Sequence, residues 1–275
     1  MWLTLFTLVA VAATSSASSV NTTELIYGGQ VVNGAEFPFQ LFVRIQIEDK
    51  IGVCGATLLS SRYALTAAHC VADSDPNYTM IFAGLHSTVE LFPSGSQMAF
   101  GKRFIVHPQF NASSLHNDIA LIELDREMKE TDTVKFIKID ALWLLPELPG
   151  ADGVIVGFGK NGWNGESSKK LHSAHVKIVD YNVCIERWKN SEYEIPIMPG
   201  TVCTDSTHSG ALHGDSGGPL LYQRFNALTG KNEWRQLGIV SMGQLVKGDI
   251  PNVHTRVPSF CFWITQNTNP PVLCL

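Results

Sequence analysis

The chain has 275 residues, of which 45% are hydrophobic and 16% charged, and its formal net charge is −5. This length can bury a sizeable core in one or two domains, and the 23 glycines and 13 prolines favour a turn-rich all-β fold over a helical one. Because the charge is mild and no basic run occurs, the sequence argues against nucleic acid as a partner and against a surface built for anionic membranes.

The amino terminus predicts a signal peptide. Residues 1–17 contain an apolar run that is too short to span a bilayer and that ends in small residues suited to signal-peptidase cleavage. This run has no Lys or Arg at its start, so an uncleaved anchor is the alternative interpretation. No later stretch has the length or hydropathy of a membrane span. We therefore expect a secreted, extracellular protein with no membrane partner.

Short apolar runs between Gly, Pro and Asn residues predict strands, for example at 41–47 and 154–158. Helical signals are sparse. A short helix is predicted at 181–188, and a terminal helix is predicted at 258–266 because a proline stands near its first turn. The chain shows no internal repeat or low-complexity tract.

Three short segments carry candidate chemistry. The segment 65–70 reads Leu-Thr-Ala-Ala-His-Cys, 117–121 reads Asn-Asp-Ile-Ala-Leu, and 214–219 reads Gly-Asp-Ser-Gly-Gly-Pro. A serine hydroxyl is a poor nucleophile at neutral pH unless an imidazole takes its proton and a carboxylate orients the imidazole. Ser216, His69 and Asp118 fit these three roles.

These segments, in the order His, Asp, Ser and with a cysteine directly after the histidine, resemble those of trypsin/chymotrypsin-like serine proteases, the S1 family. The resemblance runs from Ile26 to about the last ten residues. It implies an all-β fold of two six-stranded antiparallel β-barrels with a short C-terminal helix, the first barrel at about 26–140 and the second at about 141–275. It places catalysis in the cleft between the barrels, with His69 and Asp118 from the first and Ser216 from the second.

The resemblance also implies what the protein does. It predicts a serine endopeptidase that acts on protein or peptide substrates, meets protein inhibitors, and is a monomer. The backbone N–H groups of Gly214 and Ser216 are expected to form the oxyanion hole. Ser241 is expected to support the buried aspartate and to contact the substrate through its backbone.

The resemblance further predicts a zymogen. Residues 18–25 would be a short propeptide, and cleavage between Leu25 and Ile26 would free an amino terminus that pairs with Asp215. Loss of one partner of such a buried pair costs about 3–5 kcal/mol, enough to hold the uncut chain largely inactive. Activation in the family usually follows Arg or Lys. Leu25 therefore predicts a chymotrypsin-like activating protease.

The predicted specificity pocket contains Gly210, Gly243 and Asn252. Trypsins have an aspartate at the position of Gly210, so a Lys or Arg side chain would be buried here without a counter-charge. Gly243 should leave the mouth of the pocket open, whereas Asn252 replaces a usual glycine and Met242 a usual tryptophan. We expect cleavage after neutral, mostly apolar residues of small to medium size. The alternative is an acid-preferring pocket that uses His213, His254 or Lys247.

Six cysteines behind a signal peptide predict disulfides, and the sequence alone allows fifteen pairings. The resemblance implies the pairs Cys54–Cys70 and Cys184–Cys203, which leaves Cys261 and Cys274 to each other. An intermolecular link through Cys274 is the alternative. A further cysteine pair that braces the pocket in the family is replaced here by Leu212 and Val246, so the pocket walls are expected to be looser.

The sequence predicts no cofactor and no metal. Leu85 stands where calcium-binding relatives have a carboxylate, and no zinc-type spacing of His, Glu or Cys occurs. Asn77 and Asn111 head glycosylation sequons, and a glycan on Asn111 would limit the access of large substrates to Asp118.

The rival to an enzyme is a binding protein with a protease fold that has lost turnover. Such proteins usually have a substituted triad residue, and this chain has all three. The unusual activation bond, the asparagine in the pocket and the missing cysteine pair keep this rival open.

Overall fold

A computed structural model describes residues 26, 28–47, 50–90, 92–141, 149–160, 167–243 and 250–275. The predicted signal peptide, the predicted propeptide with Leu25, and Lys247 and Val246 lie outside these described residues. Within the described ranges, no helix combines the length and the hydropathy of a transmembrane span.

The strands, in chain order, are β1 (Gln30–Val31), β2 (Gln40–Ile47), β3 (Lys50–Leu58), β4 (Tyr63–Thr66), β5 (Thr79–Ala83), β6 (Gln97–Val106), β7 (Ala120–Leu124), β8 (Asp152–Gly157), β9 (His172–Val179), β10 (Thr201–Thr204), β11 (Pro219–Asn226), β12 (Lys231–Met242) and β13 (Asn252–Arg256). The helices are α1 (Ala68–Val71), α2 (Tyr181–Lys189) and α3 (Cys261–Gln266), and short 3-10 turns lie at Gly34–Glu36, Pro76–Tyr78 and Val257–Phe260.

These strands form two antiparallel barrels. The first closes in the order β2-β3-β4-β7-β6-β5, and the second has the order β9-β10-β13-β12-β11-β8 and is closed by pairing of β8 with β9. The short strand β1 pairs with β9 and so ties the amino-terminal segment to the second barrel. The predicted fold of two six-stranded barrels with a short C-terminal helix is confirmed.

The core of the first barrel sets the position of two predicted catalytic residues. Strands β4 and β7 are buried along their whole length, so both of their faces are covered. Their register places Thr66 opposite Ala120. His69 follows the end of β4 and Asp118 precedes the start of β7, so both lie at the same end of the barrel.

Both predicted helices occur. Helix α2 begins where the side chain of Asp180 accepts hydrogen bonds from the N–H groups of Asn182 and Val183, a standard N-cap. The carboxy-terminal helix differs from the prediction at its start. The 3-10 turn Val257–Phe260 comes first, because the N–H of Cys261 bonds to the carbonyl of Pro258 only three residues back, and α3 follows it.

Candidate active site

His69 and Asp118 form one hydrogen-bonded unit. His69 lies in α1, and the side chain of Asp118 is completely buried. The Nδ1 atom of His69 lies 2.7 Å from Oδ2 of Asp118, and the backbone N–H of His69 donates to Oδ1 at 2.8 Å. With Nδ1 bonded to the carboxylate, Nε2 of the imidazole is left to act as a base.

The second barrel holds the same aspartate from the other side. Ser241 of β12 donates from Oγ to Oδ2 of Asp118 at 2.6 Å, and Thr255 of β13 donates from Oγ1 to the carbonyl oxygen of Asp118 at 2.8 Å. The structure therefore places the predicted residue Ser241 against Asp118. Thr255 was missed, because nothing in its local sequence marks a contact with a residue 137 positions away.

The loop that contains Ser216 packs closely against strand β3 of the first barrel. Its backbone carbonyl accepts a hydrogen bond from the N–H of Gly55 at 2.7 Å. The next residue, Gly217, has a φ of +78°, and a β-carbon there would lie 2.2 Å from Oγ1 of Thr66. Only glycine fits this close approach of two backbones. The disulfide Cys54–Cys70 then links the neighbour of Gly55 to the neighbour of His69.

His69 and Ser216 line one cavity of about 400 Å³. Among the described residues no hydrogen bond joins Oγ of Ser216 to Nε2 of His69; catalytic hydrogen bonds of this kind are often long before substrate binds. Sequence reasoning also missed six apolar or aromatic residues of this cavity, which stand in loops, in α2 and in β12 without a motif of their own. They are Leu115, Trp188, Tyr193, Ile195, Ala211 and Val240.

Gly214, one of the two residues of the predicted oxyanion hole, has a backbone conformation that favours glycine. Gly214 has a φ of +95°, and a β-carbon there would lie 3.0 Å from Cα of Gly159. Within the described part of the chain, no hydrogen bond uses the N–H of Gly214 or of Ser216. Both donors are thus available to an oxygen that develops negative charge beside Ser216.

Asp215 is buried with its charge only partly compensated. Its Oδ1 accepts from the N–H of Gly159 at 2.8 Å, and its Oδ2 accepts from the N–H of Leu212 at 3.0 Å. Burial raises the pKa of this carboxyl to about 7, although the two backbone hydrogen bonds oppose the rise. Ile26 is 1% exposed and packs into the core of the second barrel.

The structure brings the predicted pocket residues Gly210, Gly243 and Asn252 together, but only some of them line the cavity. Among the described residues, the cavity lining includes Ser241, Met242 and Gly243 but neither Gly210 nor Asn252. Asn252 is 2% exposed, and a β-carbon placed on Gly210 or Gly243 would lie 2.6 or 3.0 Å from its side-chain amide.

The two described histidines of the acid-preferring alternative differ. His213 is exposed and lines the cavity. Burial lowers the pKa of His254 to about 3, so this imidazole is neutral at physiological pH. It therefore offers no positive charge to an acidic substrate side chain.

Six cysteines form three disulfides, Cys54–Cys70, Cys184–Cys203 and Cys261–Cys274. All three predicted pairs are confirmed, and the alternative of an intermolecular link through Cys274 is wrong because its sulfur is bonded to Cys261. The sequon residues Asn77 and Asn111 are both exposed.

Comparison with known proteins agrees with this geometry. The Trypsin family matches residues 26–264. Mast cell protease 3 of Ovis aries is 32% identical over 241 residues, which cover 88% of each chain. Duodenase-1 of Bos taurus is 33% identical over 239 residues, 87% of each chain. Venom serine protease 34 of Apis mellifera is 28% identical over 255 residues, 91% of this chain and 60% of that relative.

The family match covers both barrels and every residue of the site described above. The chain therefore belongs to the trypsin family of serine proteases and is a serine endopeptidase.

Proposed function

We propose that this protein is a secreted zymogen whose mature form cleaves peptide bonds after neutral, mostly apolar residues through His69, Asp118 and Ser216. The observation that carries the proposal is the buried Asp118, which bonds both Nδ1 and the backbone N–H of His69 beside the cavity that Ser216 shares.

The chemistry follows from these positions. Oγ of Ser216 attacks the scissile carbonyl carbon while Nε2 of His69 takes the hydroxyl proton, and the N–H groups of Gly214 and Ser216 stabilise the oxyanion. The C–N bond then breaks, and His69 returns the proton to the leaving amine, which leaves an acyl-enzyme. Water repeats the sequence with His69 as base and frees Ser216 and the carboxylic acid product.

Activation would act on the buried charge of Asp215. Cleavage between Leu25 and Ile26 would free an ammonium group on a residue already packed in the second barrel, where it could pair with Asp215. The two backbone donors alone leave the carboxyl of Asp215 with a raised pKa. In the uncut chain, burying this carboxyl in the loop around Ser216 would therefore cost free energy. Because Leu25 precedes the bond, the activating partner would be a protease of chymotrypsin-like specificity.

The proposal also covers secretion of the precursor and the class of side chain that the mature enzyme accepts. Residues 1–17 would be the signal peptide and 18–25 the propeptide, and the exposed residues Asn77 and Asn111 would accept glycans. The pocket would take neutral side chains because Gly210 brings no carboxylate and His254 is neutral. Protein or peptide substrates and protein inhibitors would be the partners of a monomeric enzyme.

A fluorophosphonate probe, which reacts with an activated serine, tests the proposal. The secreted precursor is treated with chymotrypsin or with trypsin, each sample is labelled, and the new amino termini are sequenced; Ser216→Ala is the control. We expect strong labelling only where Ile26 has become the amino terminus, after chymotrypsin and not after trypsin. Absence of labelling despite correct cleavage would support the rival, a catalytically silent binding protein.

A further inference from the structure

His172 is a buried histidine that the proposed catalytic mechanism does not use. It is the first residue of β9, and it is completely buried. Its Nδ1 lies 3.0 Å from Oγ of Ser168, and the same hydroxyl donates to the carbonyl oxygen of Lys170 at 2.8 Å. Because the hydroxyl proton is used there, Nδ1 of His172 must be the donor to Ser168. The lone pair of this imidazole is therefore on Nε2.

Nε2 of His172 is a buried acceptor that lacks a donor. It has no hydrogen-bond partner among the described residues. Burial lowers the pKa of the ring, so the imidazole is neutral at physiological pH and Nε2 stays an acceptor. Buried polar atoms nearly always have a partner, and an exception is explained when the site takes up a group that is not yet there.

The register of strands β8 and β9 places His172 beside Asp215. His172 stands opposite Gly157, and the side chains of opposed residues lie on the same face of a sheet with their β-carbons about 4.5–5.5 Å apart. A β-carbon on Gly157 would overlap Oδ1 of Asp215. This oxygen consequently lies within about 8 Å of the β-carbon of His172, a span that an imidazole ring and one hydrogen-bonded nitrogen can fill.

Ile26 packs on the same face of these strands. Ile155 and Ala174, which are paired two positions further along β8 and β9, share that face because side chains alternate along a strand. Both belong to the buried cluster that contains Ile26. One face of the second barrel thus holds Ile26, Asp215 and His172.

We propose that Nε2 of His172 is a second acceptor, beside Asp215, for the ammonium group that cleavage before Ile26 would free. An ammonium group has three donors, and a donor left unpaired in a buried site costs free energy. The pairing is reciprocal, because the ammonium supplies the donor that Nε2 lacks. His172 is thus a positioning residue, which acts on the loop around Ser216 through the amino terminus. This inference rests on the proposed zymogen and adds a residue to its activation.

Cyanate, which carbamylates free amino groups, tests the inference on the protein cleaved at Leu25–Ile26. The modification of Ile26 is followed by mass spectrometry, and its rate reports how often the terminus leaves its site. His172→Leu removes the acceptor and should speed the reaction about 10- to 100-fold, because a hydrogen bond to a charged group is lost. His172→Gln, whose amide oxygen can accept, should restore most of the protection. His175→Leu, at an exposed position of the same strand, is the matched control and should behave as the wild type.

Denaturant unfolding distinguishes this role from a merely structural one. His172→Leu should lower the unfolding midpoint of the cleaved protein more than that of the uncut precursor, because only the cleaved protein has the ammonium group. Equal shifts in the two forms would overturn the inference.

Fluorophosphonate labelling of the cleaved wild type keeps the two proposals apart. A correctly cleaved wild type that is not labelled would overturn the proposed function and this inference with it. A labelled wild type whose Ile26 reacts with cyanate as fast as that of His172→Leu would overturn only the inference. So would a reaction as fast in His172→Gln or in His175→Leu as in His172→Leu.

Discussion

The two halves of the active site are built differently. In the first barrel, His69 and Asp118 are held by direct hydrogen bonds between side chains and backbone. In the second barrel, the loop around Ser216 depends on glycines at positive φ and on one buried carboxylate, Asp215, that has two backbone donors. The first half uses groups whose hydrogen bonds are satisfied, whereas the second contains a buried carboxylate whose charge is only partly compensated.

If the chain is the zymogen proposed above, this difference places its regulation in the second half of the site. The base of the triad is positioned by bonds that do not involve the amino terminus, so cleavage has little to change there. The loop that would supply the proposed nucleophile and oxyanion hole contains Asp215, whose pKa is raised by burial. Cleavage at Leu25–Ile26 would supply the missing positive charge to this half alone.

The largest effect is expected in the first half, from Asp118→Asn. The amide can no longer orient the imidazole with Nε2 free as a base, and kcat for peptide hydrolysis by the mature enzyme should fall about 10⁴-fold. Steady-state kinetics measure it, with Ser216→Ala to define the background. A loss of less than tenfold would show that the bond between Asp118 and His69 is not catalytic.

The second prediction concerns Asp215 in the uncut chain, whose titration should make the free energy of unfolding depend on pH. The folded pKa of Asp215, about 7, lies above the ordinary value of 3.8, so the folded precursor binds the extra proton between these values. Its contribution to stability is complete below about pH 4 and is lost as the pH rises through 7, with a loss of up to about 4 kcal/mol. Denaturant unfolding of the precursor measures it, and Asp215→Asn should remove this component. Equal pH profiles would contradict the prediction.

In the mature enzyme, Asp215→Asn should disturb the loop around Ser216 and leave the position of His69 unchanged. Without the carboxylate, the buried amino terminus of Ile26 has no partner, and the rate of fluorophosphonate labelling should fall about 10²- to 10³-fold. The slow labelling of the uncut precursor should change far less. If the cleaved variant is labelled at the wild-type rate, Asp215 is not required for activation.

The smallest effect is expected where the two halves meet, at Ser241. Ser241→Ala removes a hydrogen bond to the charged Asp118 and should lower kcat about 10- to 100-fold. Thr255→Val, which removes only a bond to a backbone carbonyl, is the matched control and should lower kcat by no more than about tenfold. Equal losses in both variants would show that the carboxylate does not need the serine.

The sequence predicted the parts of the fold and site that have local signals. His69, Asp118 and Ser216 stand in short motifs, and α2 was placed to within one residue at its end. The partners of these residues were not predictable, because Thr255 reaches Asp118 and Gly55 reaches Ser216 only through the strand register and the packing of the barrels. The position of the Asn252 amide between Gly210 and Gly243 likewise depends on how distant parts of the backbone approach each other.

Amide hydrogen exchange tests the contrast between the halves most directly. The exchange rates of segments 63–71 and 210–218 would be compared in the precursor and in the protein cleaved at Leu25–Ile26. We predict equal protection of 63–71 in both forms and a slowing of about 100-fold in 210–218 after cleavage. Unchanged exchange in 210–218, or slowing of both segments together, would contradict the claim that activation by cleavage changes only the second half of the site.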